Sequence, residues 1–236
     1  MKTTPWLILT AALAANLAAQ PAPTAAPAAA PAPALPPSPE LDKMTALFDG
    51  RTLDGWDCNP ANWSVADGAM RGTGAWCLAL TKDDYGSFRL LVTSRVVTPE
   101  ENKGSAHLGI LFWGSRPAPG NYTPKNTGML NLQPPYGSIW DYGTNKNVPV
   151  EHVIPKNDNR LRWHDWHASE VIANFKTGEI RMAVDGVELM RFKAPDPALL
   201  KKGPIALQVH SGKSVVEYKD IRIEIDPPDD RLITVK

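Results

Sequence analysis

Alternating apolar and polar residues are the clearest pattern in this chain, and they predict β-strands. In the segments 88–93 and 221–225, Phe, Leu, Val or Ile recurs at every second position. A period of two puts those residues on one face of a strand, so each segment should bury one face. Further strands are expected at 76–81, 107–113, 129–133, 166–173 and 204–210.

A tight turn is predicted to connect two more strands. Residues 181–184 and 187–190 flank Asp185-Gly186, the pair that best tolerates the positive φ angles of a two-residue type I′ turn. The best helix candidate is short, at 197–202, and ends before Gly203. Many short strands without a long segment of period 3.6 favour an all-β fold, a two-sheet antiparallel β-sandwich of the jelly-roll type, over any α/β fold.

The first forty residues differ in composition from the rest. Residues 1–20 begin with Lys2, continue through an apolar run and end in small residues, which is the layout of a secretory signal peptide. The alternative is a short buried helix, but the Pro/Ala-rich residues 21–40 offer it nothing to pack against. We expect 21–40 to form an extended, disordered linker and 41–236 to form one domain.

Export to the periplasm or the extracellular space follows from this interpretation. No membrane association is expected after cleavage, because no later apolar run reaches the roughly 20 residues that a spanning helix needs. The first cysteine after the apolar run is Cys58, so a bacterial lipoprotein anchor is not expected.

Charge and cysteine content exclude several classes of function. The 25 basic and 25 acidic residues give a formal net charge of zero, so no basic surface for nucleic acid is expected. Two cysteines do not suffice for a four-thiolate zinc site. Cys58 and Cys77 can form one disulfide in an exported chain, or they can remain two separate buried thiols. No Gly-x-Ser-x-Gly elbow or phosphate-binding loop points to serine hydrolase or nucleotide chemistry.

Six sequence blocks occur in an order that resembles a known family. They are LFDGRTLDGW from residue 47, WSVADG from 63, YGSFRL from 85, DG from 185, IALQVH from 205 and EYKDIR from 217. Together they resemble the 3-keto-disaccharide hydrolase family, also described as 3-keto-glucoside 1,2-lyases and 3-keto-2-hydroxy-glucal hydratases. The resemblance extends over residues 47–225 and implies a concanavalin A-like β-sandwich with a sugar site on its concave sheet.

The resemblance also implies a reaction on a sugar that is already oxidised at C3. The ketone acidifies the C2 proton, so a base of ordinary strength can remove it while the enolate oxygen is stabilised. The C1 substituent then leaves, and the resulting glucal is hydrated. Such a site needs a base, an enolate stabiliser and aromatic platforms. A divalent metal acting as a Lewis acid is one form that the stabiliser can take, and its ligands stay unassigned.

Two strands of the family pattern carry altered residues here. The family's Asn-Ser-Gly-x-x-x-Arg strand aligns with 107–113, which places His107 and Trp113 where Asn and Arg are usual. Their separation of six puts both side chains on one face of a strand. The family's Glu-x-Gln strand corresponds to Asn131 and Gln133, so an amide replaces a carboxylate.

The Gln-x-His pair of the family is intact as Gln208 and His210. We predict His210 as the first candidate for the base and His107 as the second, because an imidazole titrates near neutrality. A His210 that only orients a loop by hydrogen bonding is the alternative. The residues predicted to bind the sugar are Gln208, Gln133, Asn131, Trp113 and Trp140.

A second pair of histidines, His164 and His167, is close in sequence. A spacing of three suits a metal site on a helix, whereas the resemblance places this pair in a turn that enters a strand. That position favours a structural role over metal binding.

The sequence therefore supports an exported protein whose partner is a carbohydrate. The first hypothesis is an enzyme that cleaves 3-keto-glycosides. The alternative is a noncatalytic carbohydrate-binding β-sandwich module, suggested by the altered residues and by the eight tryptophans. A scaffold tethered by its Pro/Ala linker is the third.

Overall fold

The structure is a computed structural model that describes residues 40–97, 107–134, 137–154, 164–210 and 213–235. The predicted signal peptide, and all of the predicted linker except Glu40, lie outside these residues. No helix in the described ranges has the length and apolar character needed to cross a membrane.

Short strands account for most of the regular structure in these ranges. In chain order they are β1 (Thr45–Ala46), β2 (Trp56–Cys58), β3 (Trp63–Ala66), β4 (Ala69–Gly74), β5 (Cys77–Tyr85), β6 (Phe88–Val96), β7 (Leu108–Phe112), β8 (Leu130–Gln133), β9 (Ser138–Asp141), β10 (Lys146–Val148), β11 (Glu151–His152), β12 (His167–Asn174), β13 (Glu179–Val184), β14 (Val187–Lys193), β15 (Gly203–Val209) and β16 (Ser214–Ile225). Two 3₁₀ helices are also described, Leu41–Lys43 and Pro197–Leu199.

The strands form two antiparallel sheets. The larger sheet has nine strands, in the order β11-β14-β13-β12-β6-β16-β4-β3, with β1 also paired to β16. The smaller sheet has seven, in the order β10-β9-β8-β7-β15-β5-β2. This architecture confirms the predicted all-β, two-sheet antiparallel sandwich.

Alternate residues of the strands fill the space between the two sheets. Phe88 of β6 and Phe112 of β7 meet edge to face in this core, with ring centroids 5.2 Å apart. Leu90 and Val92 are buried beside Phe88, as the alternation in 88–93 predicts. Ile225 differs from its predicted partners in β16, because it is the last residue of the strand and is 59% exposed.

The outer face of the seven-stranded sheet carries a second apolar cluster. Its buried members are Leu78, Leu80, Leu111, Met129, Tyr142 and Ala206. Tyr122 and Trp140 pack against it from outside. Tyr122 belongs to the segment between β7 and β8, and its carbonyl accepts a hydrogen bond from Leu78 N–H over 2.7 Å. This segment therefore lies against the sheet and leaves only part of the outer face open.

The predicted hairpin is confirmed between β13 and β14. Asp185 and Gly186 have φ angles of 50° and 80°, and Val184 pairs with Val187 across the turn. Both positive angles are those that a type I′ turn requires. The Asp185 carboxylate also accepts a bond from Ala168 N–H over 2.9 Å, which ties the turn to β12.

The predicted helix at 197–202 is wrong beyond its first turn. Only Pro197–Leu199 is helical, as a 3₁₀ turn whose first residues are capped by the Asp196 side chain. Leu200 is extended, with a ψ of 149°, and packs against the core. Partial burial of this side chain and the start of β15 at Gly203 end the helix early.

The disulfide between Cys58 and Cys77 is not formed in this structure, where both are free thiols. Cys58 pairs with Ala79 across β2 and β5, so Cys77 is its diagonal neighbour, two residues away along β5. Diagonal neighbours in a sheet are about 7–8 Å apart, which is beyond the usual Cα separation of bridged cysteines. The alternative of two separate thiols is the one that the structure contains.

Candidate functional site

Two histidines lie side by side on the outer face of the seven-stranded sheet. β7 and β15 are antiparallel neighbours, and their register pairs Leu108 with Val209. One position further, the same register places His107 opposite His210, just beyond the ends of the two strands. The imidazole rings are stacked, with centroids 3.8 Å apart and planes inclined by 26°.

The stacked arrangement favours a neutral His107. Burial is the larger cause, and the neighbouring His210 the smaller, of a pKa of His107 that falls from 6.5 to about 4. Two positive charges at this separation would repel each other in a site that is partly shielded from water. His107 is therefore neutral near pH 7.

A row of hydrogen-bonded side chains runs beside the histidines. Asn131 of β8 donates from Nδ2 to Oε1 of Gln208 on β15 over 2.9 Å. Gln208 in turn donates from Nε2 to the hydroxyl of Tyr142 over 3.0 Å. Asn131 is 1% exposed and Gln208 is fully buried. Because an unpaired amide is costly at such depth, the row has a fixed geometry.

Gly109 makes room for the two amides. It lies on β7, directly opposite Gln208 of β15. A Cβ at this position would lie 2.1 Å from Oδ1 of Asn131 and 3.0 Å from Oε1 of Gln208. A side chain at 109 would therefore displace Asn131, which is why this strand position needs glycine.

Tyr218 contacts the backbone of Gly109 and Gln208 from the interior of the sandwich. It lies on β16 of the nine-stranded sheet and is fully buried. Its hydroxyl donates to the backbone carbonyl of Gln208 over 2.6 Å and accepts from the backbone N–H of Gly109 over 3.2 Å. One hydroxyl thus holds both strands directly behind the amides.

Aromatic rings border the histidines and the amides. Trp76, in the connection between β4 and β5, is 37% exposed, and its ring centroid lies 5.9 Å from His210 and 5.8 Å from Tyr142. Trp140 pairs across the strands with Asn131 and lies 6.5 Å from Tyr142. An exposed ring beside fixed hydrogen-bonding groups is able to hold a ligand with apolar and hydroxyl-bearing faces.

We call these residues together the outer-face site. Its members are Trp76, His107, Asn131, Trp140, Tyr142, Gln208 and His210. Five of the seven residues predicted from the sequence belong to it. Gln133 lies at its margin: it shares a strand face with Asn131, and its Oε1 accepts a bond from Ser138 Oγ over 3.0 Å.

Trp113 is the exception, and its predicted place on the sugar-facing side is wrong. The residue has a φ of 57°, which breaks the strand alternation directly after Phe112. Its side chain is 2% exposed, packs in the core and donates from Nε1 to the carbonyl of Gly86 over 2.7 Å. The predicted register of the strand is nevertheless correct, since Leu108 and Ile110 face the core.

The two imidazoles of the outer-face site are not arranged to bind one metal ion together. Their ring planes are stacked and inclined by only 26°, so the nitrogen lone pairs, which lie in those planes, do not meet at a common point. No group of three or more His, Cys, Asp and Glu side chains in the described ranges is placed to hold a metal ion. His164 and His167 have structural contacts instead: His164 Nδ1 lies 2.9 Å from the Val96 carbonyl, and His167 Nδ1 lies 2.7 Å from Asp185 Oδ2.

Two members of the outer-face site were not predicted, Trp76 and Tyr142. Both could have been found from strand alternation. Trp76 precedes Leu78 by two positions and therefore shares its face at the start of β5. Tyr142 follows Trp140 by two positions in the same way.

Comparison with known proteins adds a family and a fold. The model of the 3-keto-alpha-glucoside-1,2-lyase-like domain matches residues 43–224. No curated protein matches the chain in sequence.

Several solved structures have a similar fold at low sequence identity. A provisionally assigned glycosyl hydrolase from Parabacteroides distasonis ATCC 8503 is 18% identical, with a TM-score of 0.58 over 80% of this chain and 98% of its own. The carbohydrate-binding module CBM66 from Bacillus subtilis is 11% identical, with a TM-score of 0.52 over 72% and 95%. A lectin from Bauhinia forficata in complex with GalNAc is 10% identical, with a TM-score of 0.56 over 76% and 97%. At these identities the likeness shows a shared β-sandwich.

Proposed function

The chain belongs to the family of 3-keto-alpha-glucoside-1,2-lyase-like domains, and on this premise we propose that it is an exported enzyme that cleaves 3-keto-glycosides. The observation that carries the proposal is the stacked pair His107 and His210 beside buried, hydrogen-bonded amides. A neutral imidazole next to fixed donors is the combination that proton abstraction from C2 of a 3-keto sugar requires. The likeness to carbohydrate-binding folds supports the same class of ligand.

His210 is the base in this proposal. The low pKa of His107, about 4, makes that ring a weak proton acceptor near neutrality. His107 instead packs against His210 and limits the orientations that its ring can adopt. Trp76 is exposed next to His210 and provides the aromatic face on which the pyranose ring packs. This role replaces the one that the sequence suggested for Trp113.

Turnover of a panel of 3-keto-glucosides tests the proposal. The wild-type protein should release the aglycone, and His210→Asn should lower turnover by roughly 10²- to 10⁴-fold while ligand affinity changes little. His152→Asn is the matched control, because His152 is exposed on β11 of the other sheet and should leave turnover unchanged. A His210→Asn variant with most of its activity would contradict the assignment of the base.

A noncatalytic carbohydrate-binding module is the second candidate. It is favoured by the absence of carboxylates among the members of the outer-face site, which distinguishes this site from the family's Glu-x-Gln pattern. The same panel separates the two: saturable binding of the sugars without release of the aglycone or exchange of the C2 proton would favour the binding module.

A further inference from the structure

The elimination proposed above creates a negative charge on the C3 oxygen of the sugar, and this charge needs a partner. The outer-face site offers two stacked imidazoles whose lone pairs do not meet at one cation, and no group of three or more His, Cys, Asp and Glu side chains in the described ranges is placed to hold one. We propose that the hydroxyl of Tyr142 donates a hydrogen bond to the C3 oxygen and stabilises the enolate. This inference rests on the proposed function and adds a catalytic residue to it.

The direction of the hydrogen bonds supports this role. Asn131 donates to Gln208, and Gln208 donates to the oxygen of Tyr142. The Tyr142 oxygen is thus already an acceptor, and its own hydrogen remains to be donated. In the part of the chain that the structure describes, this hydroxyl donates to no acceptor. Burial raises the pKa of Tyr142, so the hydroxyl keeps its proton.

The orientation of Asn131 has an energetic cost, and Tyr142 explains it. With Nδ2 directed to Gln208, Oδ1 of Asn131 is buried above Gly109 and accepts no hydrogen bond in the described residues. An unpaired buried acceptor costs about 1–3 kcal/mol. In this orientation Asn131 donates to Gln208, and Gln208 donates to the oxygen of Tyr142. Each bond polarises the next, so the Tyr142 hydroxyl becomes a stronger hydrogen-bond donor.

The positions of Tyr142 and His210 fit one sugar ring. Gln208 and His210 are two residues apart on β15, so their side chains leave the sheet on the same face about 7 Å apart. The Tyr142 hydroxyl is hydrogen-bonded to Gln208, and the ring of Trp76 is close to both residues, with centroids 5.8 Å from Tyr142 and 5.9 Å from His210. C2 and C3 of the substrate are adjacent atoms, and a base and a donor each act over about 3 Å. A 3-keto pyranose on Trp76 can therefore contact both.

The step balances without a further reactant. His210 removes the proton from C2, and the electron pair of the C2–H bond forms a C2–C3 double bond while the C3 carbonyl becomes an enolate oxygen. Tyr142 donates its hydrogen bond to that oxygen without losing its proton. When the C3 carbonyl re-forms, the electron pair of the C2–C3 double bond forms a C1–C2 double bond, the C1–oxygen bond breaks with its pair on the leaving oxygen, and that oxygen takes the proton from protonated His210.

Replacement of one hydroxyl tests this assignment. Tyr142→Phe keeps the ring that contacts Trp76 and Trp140, and it should lower turnover and C2 proton exchange in D₂O by roughly 10²- to 10³-fold, the usual effect of removing one oxyanion donor. KM should change little. Tyr122→Phe is the matched control, because Tyr122 packs against the same apolar cluster but its hydroxyl donates to Asp57 over 3.0 Å, so both rates should stay at the wild-type value.

A second variant covers the case in which Tyr142→Phe fails to fold. A 3-fluorotyrosine placed at 142 keeps the hydroxyl and makes it a stronger hydrogen-bond donor. The rate of C2 proton exchange should therefore rise above that of the wild type. A purely structural tyrosine would show no such rise.

The possible outcomes distinguish a failure of the role assigned to Tyr142 from a failure of the proposed function. An active wild type with a fully active Tyr142→Phe variant would overturn the role of Tyr142 and leave the proposed function intact. Loss of activity in EDTA, restored by a divalent metal, would overturn it in favour of a metal. A wild type that neither releases the aglycone nor exchanges the C2 proton would overturn the proposed function and, with it, this inference.

Discussion

Acidification should destabilise this protein through His107, and His107→Phe should remove that effect. The pKa of His107 is about 4 in the folded protein, and the ordinary value of 6.5 applies once the chain unfolds. Between these two values the unfolded chain takes up a proton that the folded protein does not. Folding stability therefore falls as the pH drops below 6.5 and levels off for this group near 4.

The size of the effect follows from the difference between the two pKa values. Each unit corresponds to about 1.4 kcal/mol, so the shift from 6.5 to about 4 sets an upper limit of about 3.5 kcal/mol. Water reaches part of the half-buried ring and reduces this figure. The Phe side chain retains an aromatic ring against His210 but binds no proton.

Urea unfolding at a series of pH values between 6.5 and 4 measures this contribution. The wild type should lose about 1–3 kcal/mol more than His107→Phe over this interval, since carboxylate titrations are common to both. His210→Phe should lessen the loss in part, because it removes the smaller of the two causes of the shift. Parallel stability curves for the wild type and His107→Phe would refute a buried, neutral His107.

Two further predictions concern positions at which the sequence and the structure differ. Trp113→Ala should destabilise the fold by about 3–5 kcal/mol without weakening sugar binding. Trp76→Ala should weaken sugar binding with little loss of stability. Urea unfolding and calorimetric titration of both variants check these outcomes. The denatured, unreduced protein should contain two free thiols, Cys58 and Cys77, in a thiol titration, and a titre of zero would show that they are bridged.

Strand alternation is the part of the sequence that predicts the fold well. Phe88, Leu90 and Val92 lie in β6 and face the core, as alternation predicts. Asp185-Gly186 forms the expected turn. Both depend on interactions local to a few residues: burial with a period of two, and a backbone that tolerates positive φ. The 197–202 segment is different, because packing of Leu200 against the core overrides its local helix preference.

The candidate site was only partly predictable, for a physical reason. Gln208 and His210 were found because their spacing alone fixes a common face. Trp113 was misplaced because a single positive φ, 57°, reverses the direction of its side chain, and no local signal distinguishes this from continued alternation. The stacking of His107 on His210 depends on the pairing of β7 with β15, and register between distant strands is not contained in either strand.

The replacement of the family's Glu by Asn131 has consequences beyond one position. A carboxylate that is 1% exposed would need a metal or a cation beside it, because an unpaired buried charge costs far more than an unpaired amide. Asn131 is neutral: Gln208 accepts a hydrogen bond from its Nδ2, and its unpaired Oδ1 costs far less than a buried charge would. A neutral site cannot use net charge to orient a substrate, so orientation must come from the order of its donors. Gly109 and Tyr218 fix that order from the two sides of the sheet, which makes them as necessary to the site as the side chains that would touch the sugar.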